Sequence, residues 1–340
     1  MTRIVVDAMG SDNFPTPDVE GAVMAAREYG VEVILVGDEA KVKPVLDKQE
    51  LQGLKVHLVH APEMLTMNDK GMALALKARR ANAKNSMAVG IDLVKNGEAD
   101  VFVTAGNTGA CVATSYFRLG TIPGVDLPAL VGPFPTATGT CLVLDIGANP
   151  NCKPINLQQF AIMGSVYAEK VRGIKNPRIG LIANGEEAGK GNDLVKESYP
   201  LLEAAKINFI GNVEGKEVFN GHADVAVTDG FTGNVFLKAT EAVAKLLIEK
   251  IREIIKGGNL PTKVGGALVK PALGSLKQML DPSEEGAAPL LGVNGLVFIG
   301  HGRSDAIAIL NSVRVAKVAA ESKVLDAMKN AIEESLKKQG

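Results

Sequence analysis

Residues 101–110 read VFVTAGNTGA: a β-branched apolar run, then Thr104, then a glycine-rich polar turn that opens into helix-forming residues. A strand that empties into such a turn and then a helix is the repeating unit of a parallel sheet covered by helices. The pattern recurs along the chain. Asp7-Ala-Met-Gly-Ser-Asp follows the first apolar run, and Asp145-Ile-Gly-Ala-Asn follows LVL. Asn184-Gly-Glu-Glu follows GLIA, Thr228-Asp229-Gly-Phe-Thr-Gly-Asn follows VAV, and Gly300-His301-Gly follows LVFI. Strands are predicted to begin at Ile4, Val33, Val56, Val101, Cys141, Ile179, Ile207, Val225 and Leu296. Helical spacing marks Asp18–Tyr29, Ser86–Asn96 and Leu157–Arg172, with Pro17 in a first turn and Thr16 as its cap. The fold class is α/β with a mostly parallel sheet.

Ligands of open parallel sheets bind beyond the carboxyl ends of the strands. Glycine lets backbone amides approach a ligand, and the helix that follows presents its positive end to an anion. One such turn is ordinary loop chemistry. Six of them, expected on one edge of the sheet, read as a shared anion cleft.

The chain has 340 residues, 46% apolar and 22% charged, which fits one large α/β unit or two intimate lobes. The expected division is lobe one over about 1–155 plus 290–340 and lobe two over about 156–289, the latter including a helical hairpin at 235–280. A net charge of −1 and the absence of Trp argue against a nucleic-acid partner. Cys111, Cys141 and Cys152 have neither CxxC spacing nor a matching His pair, so they read as free thiols in a reducing compartment. The opening MTRIVVDAMG reads as a strand, no apolar run is long enough to span a bilayer, and a cytoplasmic location is expected. Several chemistries are excluded. Gly185–Gly191 imitates a P-loop but is a residue short and lacks the Ser or Thr for magnesium. No GxGxxG follows the first strand, and neither GxSxG nor HExxH occurs. Val235–Lys256 carries Phe236, Val243, Leu247, Ile251 and Ile254 on one side, stops at Gly257-Gly258, and pairs with an apolar-basic stretch from Lys263 to Leu280 as a projecting hairpin.

Taken in order, DAMGSD, TAGNTGA, LDIGANPNCKP, the NGEE…KG loop, TDGFTGN and EEGAAPLLGVNG…HG resemble the PlsX family of phosphate acyltransferases across nearly the whole chain. Ser11 departs from the family's DAMGGD pattern, where a second glycine is expected. The resemblance implies an α/β/α sandwich of the isocitrate/isopropylmalate dehydrogenase-like type, related to phosphotransacetylases. It further implies a homodimer, no cofactor, a long-chain acyl-[acyl-carrier protein] as thioester donor and inorganic phosphate as acceptor. The product, an acyl phosphate for phospholipid biosynthesis, implies peripheral membrane contact and a membrane glycerol-3-phosphate acyltransferase as a partner.

For that reaction the enzyme must hold phosphate against a thioester carbonyl and stabilise a tetrahedral oxyanion. Asn107, Thr108 and Gly109 suit phosphate, as does the Gly230–Asn234 loop with Thr232 and Gly233. Gly10, Thr104, Gly106, Asn149 and Asn184 complete the expected lining. Lys190 is the first choice for a charged contact, although a lysine in a loop is ordinarily a solvated surface group. Asn234 joins it as a catalytic candidate. Asp7, Asp12, Asp145, Glu186 and Asp229 would repel bare phosphate, so pairing with Lys190, Lys153 or amide donors is expected. The same acids suit Mg²⁺, which acyl transfer does not require and the resemblance does not imply. His301 is a candidate acid for the leaving thiolate, against the common structural role of a lone loop histidine. Lys77, Arg79, Arg80 and Lys84 form the densest basic cluster, a docking face for an acidic carrier protein or simply a solvated helix. Leu268, Leu273 and Leu276 mark an apolar stripe for membrane contact, or for packing against the neighbouring helix. The rival functions are a phosphotransacetylase acting on short acyl-CoA, a β-decarboxylating dehydrogenase of the same fold, and a lipid-responsive membrane scaffold.

Overall fold

Ile4, Val5 and Val6 of the first strand are all buried, on two different faces. Strand alternation sends Ile4 and Val6 to a core with Val19, Phe160 and Ile309, and Val5 to one with Ile34, Met87 and Phe102. Apolar residues on both faces of a strand require helices on both faces of the sheet, and three layers follow. The computed structural model describes every residue except 67, 68, 70, 81, 280–285 and 338–340, and the side chains of 71, 72 and 272–279 also lie outside the description.

The strands are β1 (Arg3–Asp7), β2 (Glu32–Gly37), β3 (Val56–His60), β4 (Val101–Thr104), β5 (Ala129–Thr136), β6 (Gly139–Leu144), β7 (Arg178–Ile182), β8 (Asn208–Val213), β9 (Val225–Val227), β10 (Ala288–Leu291) and β11 (Leu296–Ile299). They form one sheet in the order β3-β2-β1-β4-β11-β10-β5-β6-β9-β7-β8. β3, β2, β1, β4 and β11 are mutually parallel, as are β6, β9, β7 and β8. Between the two groups, β11–β10, β10–β5 and β5–β6 are antiparallel. Three reversals turn the second group against the first. The carboxyl ends of β1, β4 and β11 therefore emerge at one end of the strands, and those of β6, β7 and β9 at the opposite end. This corrects the expectation that six loops share one edge.

On one face, helix Thr16–Tyr29 packs on Ala306–Glu321, and Pro154–Lys170 packs on Asp193–Glu203 and Val324–Leu336. The other face is covered by Ser86–Lys95 and Thr108–Leu119, with Gly71–Arg79 against the latter. Each expected strand and helix is present within a few residues of its predicted start. Two strands escape the sequence reading. β5 carries Pro133 and Pro135, which forbid ladder donation. They are tolerated because β10 pairs only with Ala129 and Leu130, leaving one side of β5 without a partner beyond that point. β10 is four residues long and has no periodic signal.

Helix starts also differ. The first helix begins at Thr16 with Pro15 at the cap position and no side-chain cap bond, so Thr16 is not the cap. The long helix begins at Gly230, not Val235, and runs to Gly257. Gly230–Asn234 is thus its first turn and not a loop. Phe236 stacks on Phe134 with centroids 5.0 Å apart and planes 7° off parallel, anchoring that turn to the sheet. Farther along, Val243, Leu247 and Ile254 are exposed, as a helix leaving the body requires. It meets the helix Leu260–Met279, where Gly266 sits against Ile255 and Pro271 lies inside the helix.

Candidate active site

At the first end, the turns after β1, β4 and β11 are knitted together. Asp7 is buried and accepts from Thr104 Oγ1 at 2.8 Å and from the Met9 N–H at 3.0 Å. Burial raises its pKa, and bonds from Ser86, Thr104 and Met9 oppose that rise. A Cβ at Gly10 would stand 2.9 Å from both the Ala105 nitrogen and Thr104 Oγ1, so only glycine lets the two turns meet. Gly106 N–H donates to Thr104 Oγ1 at 3.0 Å, and Gly300 N–H to the Thr104 carbonyl at 2.7 Å. Asp12 N–H reaches the Gly302 carbonyl at 2.7 Å.

Helix Thr108–Leu119 starts in the middle of this arrangement. Asn107 is its cap: Oδ1 accepts from Ala110 N–H at 2.9 Å, and Nδ2 donates to the Thr66 carbonyl at 3.2 Å. The Asn107 side chain is therefore committed to the fold. The N–H groups of Thr108 and Gly109, by contrast, have no partner among the described residues. They belong to the first turn of a helix whose Gly109 is exposed, an arrangement suited to an anion.

At the opposite end, Asp145 is buried and saturated with donors. Leu130, Gly147, Ala148 and Asn149 N–H groups and Asn149 Nδ2 all reach its carboxylate at 2.7–3.1 Å. Burial raises its pKa, and these donors pull it back. Asn149 Nδ2 also donates to the Pro128 carbonyl at 2.6 Å. Gly230 N–H donates to the Asn149 carbonyl at 2.8 Å, while Asp229 caps the long helix by accepting from the Thr232 N–H at 2.9 Å and hydroxyl at 2.7 Å. Gly147, at φ 142°, faces Asn234, whose Nδ2 would stand 2.9 Å from a Cβ placed there. The two helix starts are capped alike, Asp229 and Asn107 each taking the third and fourth N–H groups, and differ at the first: Gly230 spends its N–H on the Asn149 carbonyl, whereas that of Thr108 has no partner among the described residues.

Lys190 is exposed on the turn after β7, held by a Lys190 N–H to Glu187 carbonyl bond at 2.9 Å; Asn184 at the head of that turn is exposed too. The Lys190 ammonium has no acidic partner among the described residues, and neither has that of Lys153. Lys153 is exposed, and its N–H donates to Asn156 Oδ1 at 2.7 Å. Glu186 pairs instead with Lys216 at 3.1 Å. Of the expected partners, amide donors hold Asp7, Asp145 and Asp229, joined by the Thr104 and Thr232 hydroxyls, and Lys216 holds Glu186; neither Lys190 nor Lys153 pairs with them. The thiols are protonated at neutrality: burial pushes Cys111 and Cys141 up to about 12 and Cys152 to about 11.

His301 links the two ends. Its Nδ1 accepts from the Arg303 N–H at 3.2 Å, and the residue is exposed. Partial desolvation of the ring lowers its pKa most, followed by Arg303 and Lys238, against Glu241 and Asp12. Lys238 and Glu241, paired at 2.9 Å, lie beyond the second turn of the helix that starts at Gly230. That helix therefore begins beside Asp145 and carries charge to His301. Sequence reading placed Lys238 and Glu241 on this helix but gave them no role, because their approach to His301 depends on the direction in which the helix crosses the body.

Of the basic cluster, Lys77 is held by Asp69 at 2.6 Å, while Arg79, Arg80 and Lys84 are exposed. Exposed Leu76, Tyr116 and Phe117 lie on the same pair of helices, and Arg118 bonds the Arg80 carbonyl at 3.0 Å. Leu268 is 76% exposed; the Leu273 and Leu276 side chains lie outside the described residues. Among the described residues, no helix is long and apolar enough to cross a membrane.

Residues 2–327 match the family described as fatty acid synthesis protein. A phosphate acyltransferase of Acidobacterium capsulatum is 48% identical over 318 residues, covering 93% of each chain. One from Pelotomaculum thermopropionicum is 45% identical over 331 residues, covering 97% of this chain and 95% of the other. Among solved structures, a phosphotransacetylase from Streptococcus pyogenes superposes with TM-score 0.60 at 18% identity, covering 94% of both chains. The EutD phosphotransacetylase from Staphylococcus aureus gives 0.59 at 17%, again covering 94% of both. At those identities the likeness is one of fold, an α/β architecture with a large, mostly parallel sheet. The chain belongs to the fatty acid synthesis protein family, the PlsX family of phosphate acyltransferases, and is an acyltransferase.

Proposed function

We propose that the chain transfers a long-chain acyl group from acyl-[acyl-carrier protein] to inorganic phosphate, reversibly, giving an acyl phosphate for phospholipid biosynthesis. The observation that supports it best is the pair of unspent N–H groups at Thr108 and Gly109, beside the Asp7–Thr104 and His301 turns. Phosphate binds there. One of its oxygens attacks the thioester carbonyl, the carbonyl π electrons move to oxygen, and the tetrahedral oxyanion collapses with loss of the pantetheine thiolate. Phosphate is already largely ionised near neutrality, so positioning and charge stabilisation outweigh general-base help. His301, toward which the helix from Gly230 runs, gives a proton to the thiolate. Lys190 and Asn234, on turns at the opposite end of the strands, are the proposed contacts to the oxyanion, and their substitution tests that part of the reading. Asp7, Asp145, Asn149 and Asp229 shape the turns. Protonated, buried thiols disfavour an acyl-enzyme and support direct transfer.

The exposed Arg79, Arg80 and Lys84 dock the acidic carrier protein. The projecting hairpin, through Leu268 and its neighbours, rests on a membrane surface, from which the product passes to a glycerol-3-phosphate acyltransferase. The working unit is a homodimer. The decisive experiment incubates the protein with long-chain acyl-[acyl-carrier protein] and phosphate and traps acyl phosphate with hydroxylamine. Preference for short acyl-CoA would make it a phosphotransacetylase instead. Lipid binding without any acyl phosphate would make it a scaffold.

A further inference from the structure

The turn after β1 contains a contact that none of the assigned roles uses. Ser11 and Asp18 are both buried, at 2% and 0% exposure. Ser11 Oγ donates to Asp18 Oδ2 at 2.6 Å, and Ser11 N–H to Asp18 Oδ1 at 3.3 Å. Both donors therefore converge on one carboxylate in the first turn of helix Thr16–Tyr29. The residues on either side of Ser11 are the ones that touch the other turns. Gly10 lies against Thr104 and Ala105, and Asp12 N–H holds the Gly302 carbonyl next to His301. Ser11 is also where this sequence departs from the glycine of the DAMGGD pattern.

We propose that Ser11 and Asp18 are positioning residues for the proposed acyl transfer: their paired hydrogen bonds hold the Gly10–Asp12 turn against Thr104 and Gly302, and so fix the phosphate side of the site. The proposal rests on reading that end of the sheet as the phosphate site. Ionised, Asp18 accepts both Ser11 donors. Protonated, one oxygen becomes a donor and the charge-assisted hold on the turn is lost. Burial pushes the Asp18 pKa up to about 7, the Ser11 hydroxyl opposes that rise, and Asp7 on β1 adds to it. Other charged groups flank the pair. Asp12 lies on the same turn, Glu20 on the same helix, and Lys41 sits over Phe14. Across the packed helix, Asp305 is spent on the Ala308 N–H, with His301 and Arg303 just before it.

The sign follows from these groups. The turn is held when Asp18 is ionised, so phosphate-dependent activity falls as pH drops through about 7. Ser11→Gly removes a contact that favours the ionised form, which moves this acidic limb to higher pH and costs about tenfold in kcat/KM for phosphate on its acid side. Asp18→Asn, which keeps the shape without titrating, flattens the limb. The experiment is the pH profile of kcat/KM for phosphate in the three proteins, with thermal melting measured in parallel. Because the folded pKa of Asp18 lies above its unfolded value of 3.8, the parent loses stability relative to Asp18→Asn as pH rises from about 4 to about 7. An acidic limb unmoved in both variants overturns the positioning role. If the parent makes no acyl phosphate, the proposed function fails. In that case Ser11→Gly decides by melting: if its difference from Asp18→Asn depends on pH as the parent's does, the Ser11–Asp18 coupling is overturned, and if the widening extends to higher pH it is retained.

Discussion

A Cβ at Gly233 would overlap the carbonyl oxygen of Asp145, so the first turn of the long helix and the turn after β6 fit together only because that position has no side chain. Gly230 is equally confined, by Asn149 and the Asp145 carboxylate. This contact, together with the donors around Asp145, sets where Asn234 stands and in which direction the helix runs toward His301. Gly233→Ala must push backbone against backbone and is expected to destabilise the fold by about 1–3 kcal/mol. Urea unfolding measures it. Parent-like stability would show that the helix start shifts freely, and that the placement of Asn234 is not fixed by this contact.

Lys190→Ala is expected to lower turnover by about 10²–10³, the usual loss for one transition-state contact. Its melting temperature should stay at the parent value, because the Lys190 ammonium pairs with no acid among the described residues. Asn234→Ala should behave alike in turnover. Steady-state kinetics beside a melting curve separates the roles, and parent-like turnover in Lys190→Ala removes that lysine from the chemistry.

His301 offers a test with a direction. If its protonated ring supplies the proton to the thiolate, activity falls as pH rises through a pKa below the usual 6.5, the lowering coming from desolvation first and then Arg303 and Lys238. Lys238→Gln removes a cation that lowers the value, so the alkaline limb should move to higher pH. Glu241→Gln removes an anion that raises it, so the limb should move lower. A limb that neither substitution shifts, or that survives His301→Ala, returns the histidine to a structural role.

The α/β class and most strands were legible in the sequence because β-branched runs and glycine-rich turns are local signals. Asp7, Thr104, Gly106, Asp145 and Asn149 were legible for the same reason, since each ends or follows a strand. What escaped is non-local. The reversal of Asp145 and Asp229 relative to Asp7 and His301 depends on β5 and β10, one disguised by Pro133 and Pro135 and the other only four residues long. The cap that Asn107 makes for its helix, and its reach to the Thr66 carbonyl, depend on the chain around it. The Ser11–Asp18 pair showed only as a departure from glycine, and its meaning needed the helix packed beside it.

The proposed docking of a carrier protein draws on basic side chains with no acidic partner among the described residues. Lys77 is occupied by Asp69, whereas Arg79 and Arg80 are exposed. The double substitution Arg79→Glu with Arg80→Glu is expected to raise KM for acyl-[acyl-carrier protein] and leave KM for phosphate unchanged, with the effect shrinking at high salt. Initial-rate kinetics at low ionic strength measures both constants. An unchanged carrier-protein KM there returns the cluster to a solvated helix face.

The hairpin carries the last expectation. Val243, Leu247 and Ile254 on one helix and Leu260, Val264, Leu268 and Val269 on the next are all about half or more exposed, a concentration of apolar surface rare on a soluble monomer. Lys263 and Lys270 flank the second stretch, and no acid interrupts residues 259–280. A helix of this kind lies in a bilayer interface, with leucines among the acyl chains and lysines near anionic headgroups. The same surface is equally able to bury itself against a second copy of the chain, and Leu268→Glu tells the two apart. The side chain is 76% exposed, so the substitution leaves the described core untouched. If the stripe contacts lipid, co-sedimentation with anionic vesicles falls while the oligomeric state and activity on soluble acyl-[acyl-carrier protein] persist. If sedimentation holds and the oligomer dissociates, the stripe is a subunit interface and the membrane reading fails.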